Sequence, residues 1–242
     1  MGNFLKKRLS GLFTRPACIC DNTFEEIVGH NNIKLIFLKA LNSKRPVHLL
    51  LIGSPGSAKT MFLTQIMRSS KVSYFVVGSN TTKAGLLNQL FQRKPKFLLL
   101  DELDKMSPSD QIALLHLMET GIISETKINK TRNMELTTWV FATANSSEKI
   151  NQALLSRFVV LEITRYTIEE FIDIAVSRLA RENIKEATAR TIAEKTWYDL
   201  GSRDIRDVLK VARLSSSLEE MPFVIRMLKG KGKYNFDIEN NI

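Results

Sequence analysis

Apolar residues recur along this chain in two alternating textures. Short runs rich in aliphatic and β-branched residues, Val47–Ile52, Val72–Val77, Phe97–Leu100, Trp139–Ala142 and Phe158–Ile163, have the length of buried strands. Between them the apolar residues fall every three or four positions, which predicts helices over Ile33–Leu41, Lys59 to about Arg68, Ala84–Arg93 and Gln111–Thr120. Pro108 stands where the last of these can start, and Ile150–Leu155 reads as a helical turn. Strands alternating with helices predict an α/β fold, a parallel sheet sandwiched by helices. From Tyr166 no strand pattern recurs. Thr167 and Glu170 have the spacing of a capping box for a helix over Thr167–Glu182, followed by helices over Glu186–Tyr198 and Ser202–Leu214 and a weaker one after Ser217. A boundary at about Thr164 is expected: a core over 21–164 and a small all-helical domain over 165–228, with a basic arm at 1–20 and a tail at 229–242. No internal repeat is present.

The length of 242 residues suits one large domain or a core with a small second one. The net charge of +10 is unevenly spread. Lys6, Lys7, Arg8 and Arg15 lie in the first 16 residues with no acid, and Arg226, Lys229, Lys231 and Lys233 face only Asp237 and Glu239 in the tail. The body between them is therefore only weakly basic, a balance that permits nucleic acid or an anionic surface as partner without choosing. Gly2–Phe13 places apolar residues at helical spacing around Lys6–Arg8, which reads equally as a docking segment or a frayed arm. Cys18 and Cys20 form a lone C-x-C without the four-ligand spacing of a zinc site or a disulfide framework. No apolar run approaches the roughly 18–20 residues of a membrane span, the N-terminus lacks a signal-peptide core, and Lys6 stands where myristoylation sites carry Ser or Thr. A soluble, cytoplasmic protein is expected.

Chemistry concentrates first at Gly53-Ser54-Pro55-Gly56-Ser57-Ala58-Lys59-Thr60, between a predicted strand and a predicted helix. The spacing is that of a phosphate-binding loop, whose backbone N–H groups and helix dipole favour an anion. Lys59 would reach the β- and γ-phosphates and Thr60 would offer its hydroxyl to Mg²⁺; Ala58 replaces the last glycine of the pattern, a small intrusion by a methyl group. About forty residues on, Leu98-Leu99-Leu100-Asp101-Glu102 sets two carboxylates at a strand's end. Asp101 suits the metal through water, and Glu102 suits a general base on the attacking water; Asp104 reads as a solvated loop residue. Asn145 ends the next strand, where an amide orients a water or simply makes a turn. Arg157 reads as a surface cation or as an arginine finger stabilising a transferring phosphate. Arg203 and Arg206 open a helix of the second domain and either reach the nucleotide or face solvent. His30, His48 and His116 are scattered and carry no ligand pattern.

Together these residues resemble the AAA+ ATPase family, over roughly Phe24 to Leu214. The resemblance aligns the Walker A motif with Gly53–Thr60, the Walker B motif with Leu98–Glu102, the first sensor with Asn145, the arginine finger with Arg157 and the second sensor with Arg203 or Arg206. It implies nucleotide contacts from Ser54, Pro55, Gly56, Ser57, Ala58, Lys59, Thr60 and Met61, and from Val28 and Gly29, which resemble the segment bordering adenine. It also implies a P-loop NTPase sheet with a helical lid, ATP and Mg²⁺ as cofactors, and a homo-oligomeric ring, hexameric in many members. Ala58-Lys59 and Lys83-Ala84-Gly85-Leu86 are similar to minichromosome-maintenance helicases; the short one-module layout is similar to RuvB, without a clear DNA-binding winged helix after the lid. Gly121–Leu136 alternates and turns near Asn129-Lys130, resembling the β-hairpin of helicase-like members with Lys127, Lys130 and Arg132 about its tip; a solvated charged loop is the other reading. Ser79–Gly85 lacks the pore aromatic of peptide-threading relatives. The expectation is a Mg²⁺-dependent ATPase ring acting on DNA, with a MoxR-type protein-remodelling ATPase or a slow nucleotide-dependent switch as alternatives and a protein partner then implied.

Overall fold

The structure, a computed structural model, describes residues 21–127 and 130–230. The basic arm with Cys18 and Cys20, and the tail cations Lys231 and Lys233, lie outside the described residues. Seven strands form in chain order: β1 (Leu49–Ile52), β2 (Ser73–Val77), β3 (Phe97–Asp101), β4 (Ile122–Lys127), β5 (Lys130–Glu135), β6 (Trp139–Ala144) and β7 (Val159–Glu162). The helices are α1 (Asn31–Leu41), α2 (Lys59–Ser69), α3 (Lys83–Arg93), α4 (Pro108–Thr120), α5 (Gln152–Leu155), α6 (Ile168–Ala180), α7 (Glu186–Lys195), α8 (Ile205–Leu214) and α9 (Met221–Leu228).

Five strands make one parallel sheet in the order β2-β3-β6-β1-β7. Because side chains alternate across a strand, the continuous apolar runs feed both faces. Leu50, Leu98, Leu100, Val140 and Ala142 pack with Leu86, Leu87 and Leu90 of α3 and Leu114 and Leu117 of α4. Leu49, Leu51, Leu99 and Phe141 pack with Phe37 and Leu41 of α1 and Phe62, Leu63 and Ile66 of α2. Phe24, Phe37, Phe62 and Phe141 form a chain of ring contacts on this second face, at centroid distances of 5.0–5.8 Å. The central strands β1, β3 and β6 are thus buried on both sides, and their C-terminal ends stand side by side.

β4 and β5 pair separately as an antiparallel hairpin, with Lys127 opposite Lys130 as its last pair. Its base is anchored by Ile123 and Leu136, both buried in the cluster under α3 and α4. The chain forms two compact units: residues up to Ser54 with Ala58–Ile163, and Thr164 onward with Pro55–Ser57. In the second unit, Phe171, Ala175 and Leu179 of α6, Ala189 and Ile192 of α7, Val208 and Val211 of α8, and Met221, Val224 and Ile225 of α9 are buried. The capping box of Thr167 and Glu170 opens α6.

Several boundaries differ from the sequence pattern, among them three set by a histidine, a glycine and an N-cap aspartate. The first strand begins at Leu49, and His48 instead accepts the Val140 N–H on Nδ1 at 3.0 Å. The helix expected to Tyr198 ends at Lys195 and widens into a π turn, Thr196–Leu200, stopped by Gly201 at φ 73°. The next helix starts at Ile205 rather than Ser202, because Asp204 serves as its N-cap and accepts from the Arg206 N–H.

Candidate nucleotide site at the end of the parallel sheet

β1 delivers the chain into the Gly53–Thr60 loop, and α2 starts at Lys59. Ala58, the residue before the helix, has φ 63° and ψ 10°. The physical demand at this position is therefore a left-handed backbone more than space for a methyl group. An L-residue with a Cβ holds it at a cost of about 1–2 kcal/mol, which glycine avoids. Gly56 is left-handed as well, at φ 82°. Lys59 is buried, and its ammonium donates to the carbonyls of Gly53 and Ser54 at 2.7 and 2.8 Å. It braces the curve of the loop from inside. Met61 N–H donates to the Ala58 carbonyl and begins the helix ladder.

Asp101 is the last residue of β3, and the strand order brings it beside the loop from two strands away. Thr60 donates its hydroxyl to the Asp101 carboxylate, at 2.9 Å to Oδ2 and 3.1 Å to Oδ1. Thr143, buried in β6, donates to Asp101 Oδ1 at 2.5 Å and accepts the Glu102 N–H at 3.1 Å. Glu102 adopts φ 58° and ψ 49°, a left-handed conformation rare outside glycine and found where a fold over-determines it. Its carbonyl accepts from Lys105 N–H. Asp104, expected to be solvated, is instead buried in the short helix Leu103–Lys105.

This cluster fits a hard cation. Thr60 and Asp101 present adjoining oxygens at the end of a phosphate-binding loop, and Mg²⁺ takes one or two such protein ligands, completing its shell from phosphate and water. Among the described residues no cluster of three or more His, Cys, Asp or Glu is positioned to hold a metal.

The remaining candidates are placed unequally. Asn145 follows β6 directly, at the same end of the sheet as Asp101, and its amide has no hydrogen-bond partner among the described residues. Val28 and Gly29 precede α1, with Gly29 and His30 both left-handed at φ 68° and 51°. Arg157 stands two residues before β7, at the opposite end of the sheet from Thr60 and Asp101, paired with Glu119 of α4 at 2.5 Å. In the helical unit, Arg203 lies over the Trp197 ring at 3.5 Å and donates to the Trp197 carbonyl at 2.8 Å. Arg206 is paired with Asp204 at 2.6 Å and is largely exposed.

The hairpin expectation needs a correction at Arg132. It does not sit at the tip: it pairs with buried Glu125 at 2.6 Å, donates to Asn88 at 3.1 Å and covers the Phe91 ring at 4.1 Å. Its charge is spent holding the hairpin to α3. The side chains of Lys127 and Lys130 lie outside the described residues. Sequence reasoning also missed the bridging role of Thr143; the available signal was a hydroxyl at the end of an otherwise apolar strand run, two residues before Asn145.

Residues 49–166 match the family model described as "ATPase family associated with various cellular activities (AAA)". The DNA replication licensing factor MCM5 of Oryza sativa subsp. indica is 25% identical over 221 residues, 80% of this chain and 28% of its own length. Replication factor C subunit 3 of Saccharomyces cerevisiae is 26% identical over 221 residues, 83% of this chain and 59% of its own. The chain thus spans well under two thirds of either relative. The Thermotoga maritima RuvB Holliday junction branch migration motor shares the fold with a TM-score of 0.64 at 19% identity, over 89% of this chain and 74% of that one. Residues 49–166, which hold the phosphate loop, the paired Thr60 and Asp101 and the five-stranded parallel sheet, thus match the AAA family of ATPases.

Proposed function

We propose that the chain hydrolyses ATP with Mg²⁺ as part of a homo-oligomeric ring, hexameric as in many AAA+ members, that works on DNA. The observation that carries the ATPase reading is the Thr60–Asp101 hydrogen bond, with Glu102 next in the chain. Lys59 exchanges its loop carbonyls for the β- and γ-phosphates. Thr60 and Asp101 hold Mg²⁺, which when bound supplies charge neutralisation to the phosphates. Glu102 accepts the proton of the attacking water, and the Asn145 amide orients that water. Arg157 lies at the wrong end of the sheet for its own nucleotide, which supports a role on a neighbouring copy's phosphate. Mixed assemblies of Arg157→Ala with Lys59→Ala should then regain activity that neither has alone.

The DNA reading draws on the hairpin and on the relatives' names, which speak of DNA replication and branch migration. Protein remodelling is the second reading, and the commitment of Arg132 to Glu125 favours it by removing one cation from the hairpin's free charge. The test is phosphate release with and without Mg²⁺, then with duplex DNA or with a candidate protein client. Mg²⁺-dependent hydrolysis raised by DNA supports the proposal. Stimulation by protein alone overturns the DNA assignment, and absence of Mg²⁺-dependent hydrolysis overturns the enzyme.

A further inference from the structure

We infer that Thr143 and Gly78 are positioning residues that set the Asp101–Glu102 turn, Thr143 acting on the Asp101 carboxylate and the Glu102 N–H and Gly78 on the Glu102 carbonyl alone. This rests on the ATPase reading above. A single hydroxyl does two jobs at Thr143: its hydrogen goes to Asp101 Oδ1, and its lone pair receives the Glu102 N–H. The side chain is 1% exposed, so water does not substitute for either bond. The bond to Asp101 competes with nothing on Oδ2, which leaves that oxygen to Thr60 and to a cation. The bond from Glu102 N–H fixes a peptide that would otherwise lose its left-handed turn, since β-region backbone is the lower-energy state for glutamate.

Gly78, at the end of β2, closes the turn from the other side. A Cβ built there would lie 2.3 Å from the Glu102 carbonyl oxygen and 3.0 Å from its carbon. Both atoms are backbone, so the contact is not relieved by a side chain swinging away. Glycine at this place is a requirement of close approach, and the carbonyl it admits is the one that accepts from Lys105 N–H. The Glu102 turn is therefore gripped at its N–H by Thr143 and at its carbonyl by the space over Gly78. The Cα–Cβ direction of Glu102 follows from the peptide planes so held.

The two residues make separable predictions. Thr143→Val keeps the side-chain shape and removes the hydroxyl. Turnover at saturating ATP should fall about 10- to 100-fold, the range expected for losing a charge-assisted hydrogen bond. ATP affinity without Mg²⁺, read with a fluorescent ATP analogue, should stay within about twofold, while the gain in affinity on adding Mg²⁺ should shrink. Thr143→Ser restores the hydroxyl and should recover most of both losses. Gly78→Ala should lower turnover comparably and leave the Mg²⁺ gain in affinity intact, because it moves Glu102 and not Asp101. Thermal unfolding identifies any variant that fails to fold, and Thr143→Ser then carries the comparison with wild type. A wild type that binds ATP with Mg²⁺ but never hydrolyses it overturns the ATPase reading; the Mg²⁺ gain in affinity still reads Thr143. A Thr143→Val protein with the wild-type Mg²⁺ gain overturns the inference in either case, and so does a Thr143→Ser protein no better than Thr143→Val.

Discussion

The end of the parallel sheet and the β4–β5 hairpin both concentrate charge, and they use it in opposite ways. At the sheet end, Thr60, Asp101, Glu102 and Thr143 come from the start of α2 and the ends of β3 and β6 and bond to one another through short links. In the hairpin, the conspicuous cation Arg132 is consumed by Glu125, Asn88 and Phe91, so that its charge serves the fold. A charge in a motif is available for chemistry only if the fold leaves it unspent. Spacing in sequence tells which groups a strand end presents; it does not tell which neighbours reach them first.

The largest effect that would break this comparison is at Glu102. Glu102→Gln preserves the left-handed turn and the Thr143 bond while removing the base, so turnover should fall about 10²- to 10⁴-fold with ATP still bound. Unchanged turnover measured by phosphate release would remove Glu102 from the chemistry and leave the sheet end as no more than a binding site.

The next effect lies at the other end of β1, where the same strand is held by a neutral histidine. Burial depresses the His48 pKa from 6.5 to about 4, partly countered by its hydrogen bond to the Met118 backbone. The unfolded chain takes up a proton below pH 6.5 that the folded chain refuses until about pH 4. Stability contributed by neutral His48 is thus present above pH 6.5 and lost as pH falls toward 4, a drop of ~3 kcal/mol. Chemical denaturation between pH 7 and 4 should show this slope, and a His48→Gln protein should show a flatter one.

At the hairpin, Arg132→Ala removes the ion pair between Arg132 and buried Glu125 and uncovers Phe91. The expected loss is about 2 kcal/mol in unfolding free energy, the scale of a hydrogen bond to a charged group. If stability is unchanged and DNA affinity collapses, Arg132 belongs to an interface and the contrast between the two regions disappears. Ala58→Gly should stabilise the phosphate loop by ~1 kcal/mol in thermal unfolding, since glycine takes the left-handed backbone without strain. The smallest stability effect belongs to Lys127→Ala with Lys130→Ala, within about 0.5 kcal/mol as for ordinary surface changes. The same pair should flatten the salt dependence of DNA binding by roughly 0.9 log unit per tenfold salt for each phosphate that is no longer neutralised. Proteins trimmed of residues 1–20 and 229–242 keep the basic arm and tail from masking that slope.

Much of the fold was legible because its determinants are local. Five short apolar runs, too long to be turns and too short for helices, had the length of strands, and three of them, β1, β3 and β6, are buried on both faces; Pro108 and the capping box at Thr167 marked helix starts. The phosphate loop and the Asp101-Glu102 pair were legible for the same reason, since a loop–helix junction and a strand end are each read within a few residues. Tertiary structure alone decided what depends on neighbours distant in sequence. It placed Thr143 against Asp101 and Glu102 across 42 and 41 residues, turned Arg132 inward onto Asn88 across 44, and buried Asp104. It also revealed that Ala58 and Glu102 are left-handed, a property of backbone geometry that no side-chain pattern encodes for residues other than glycine. Local periodicity measures which face of an element is apolar, whereas the pairing of polar groups depends on the strand order that brings those faces together.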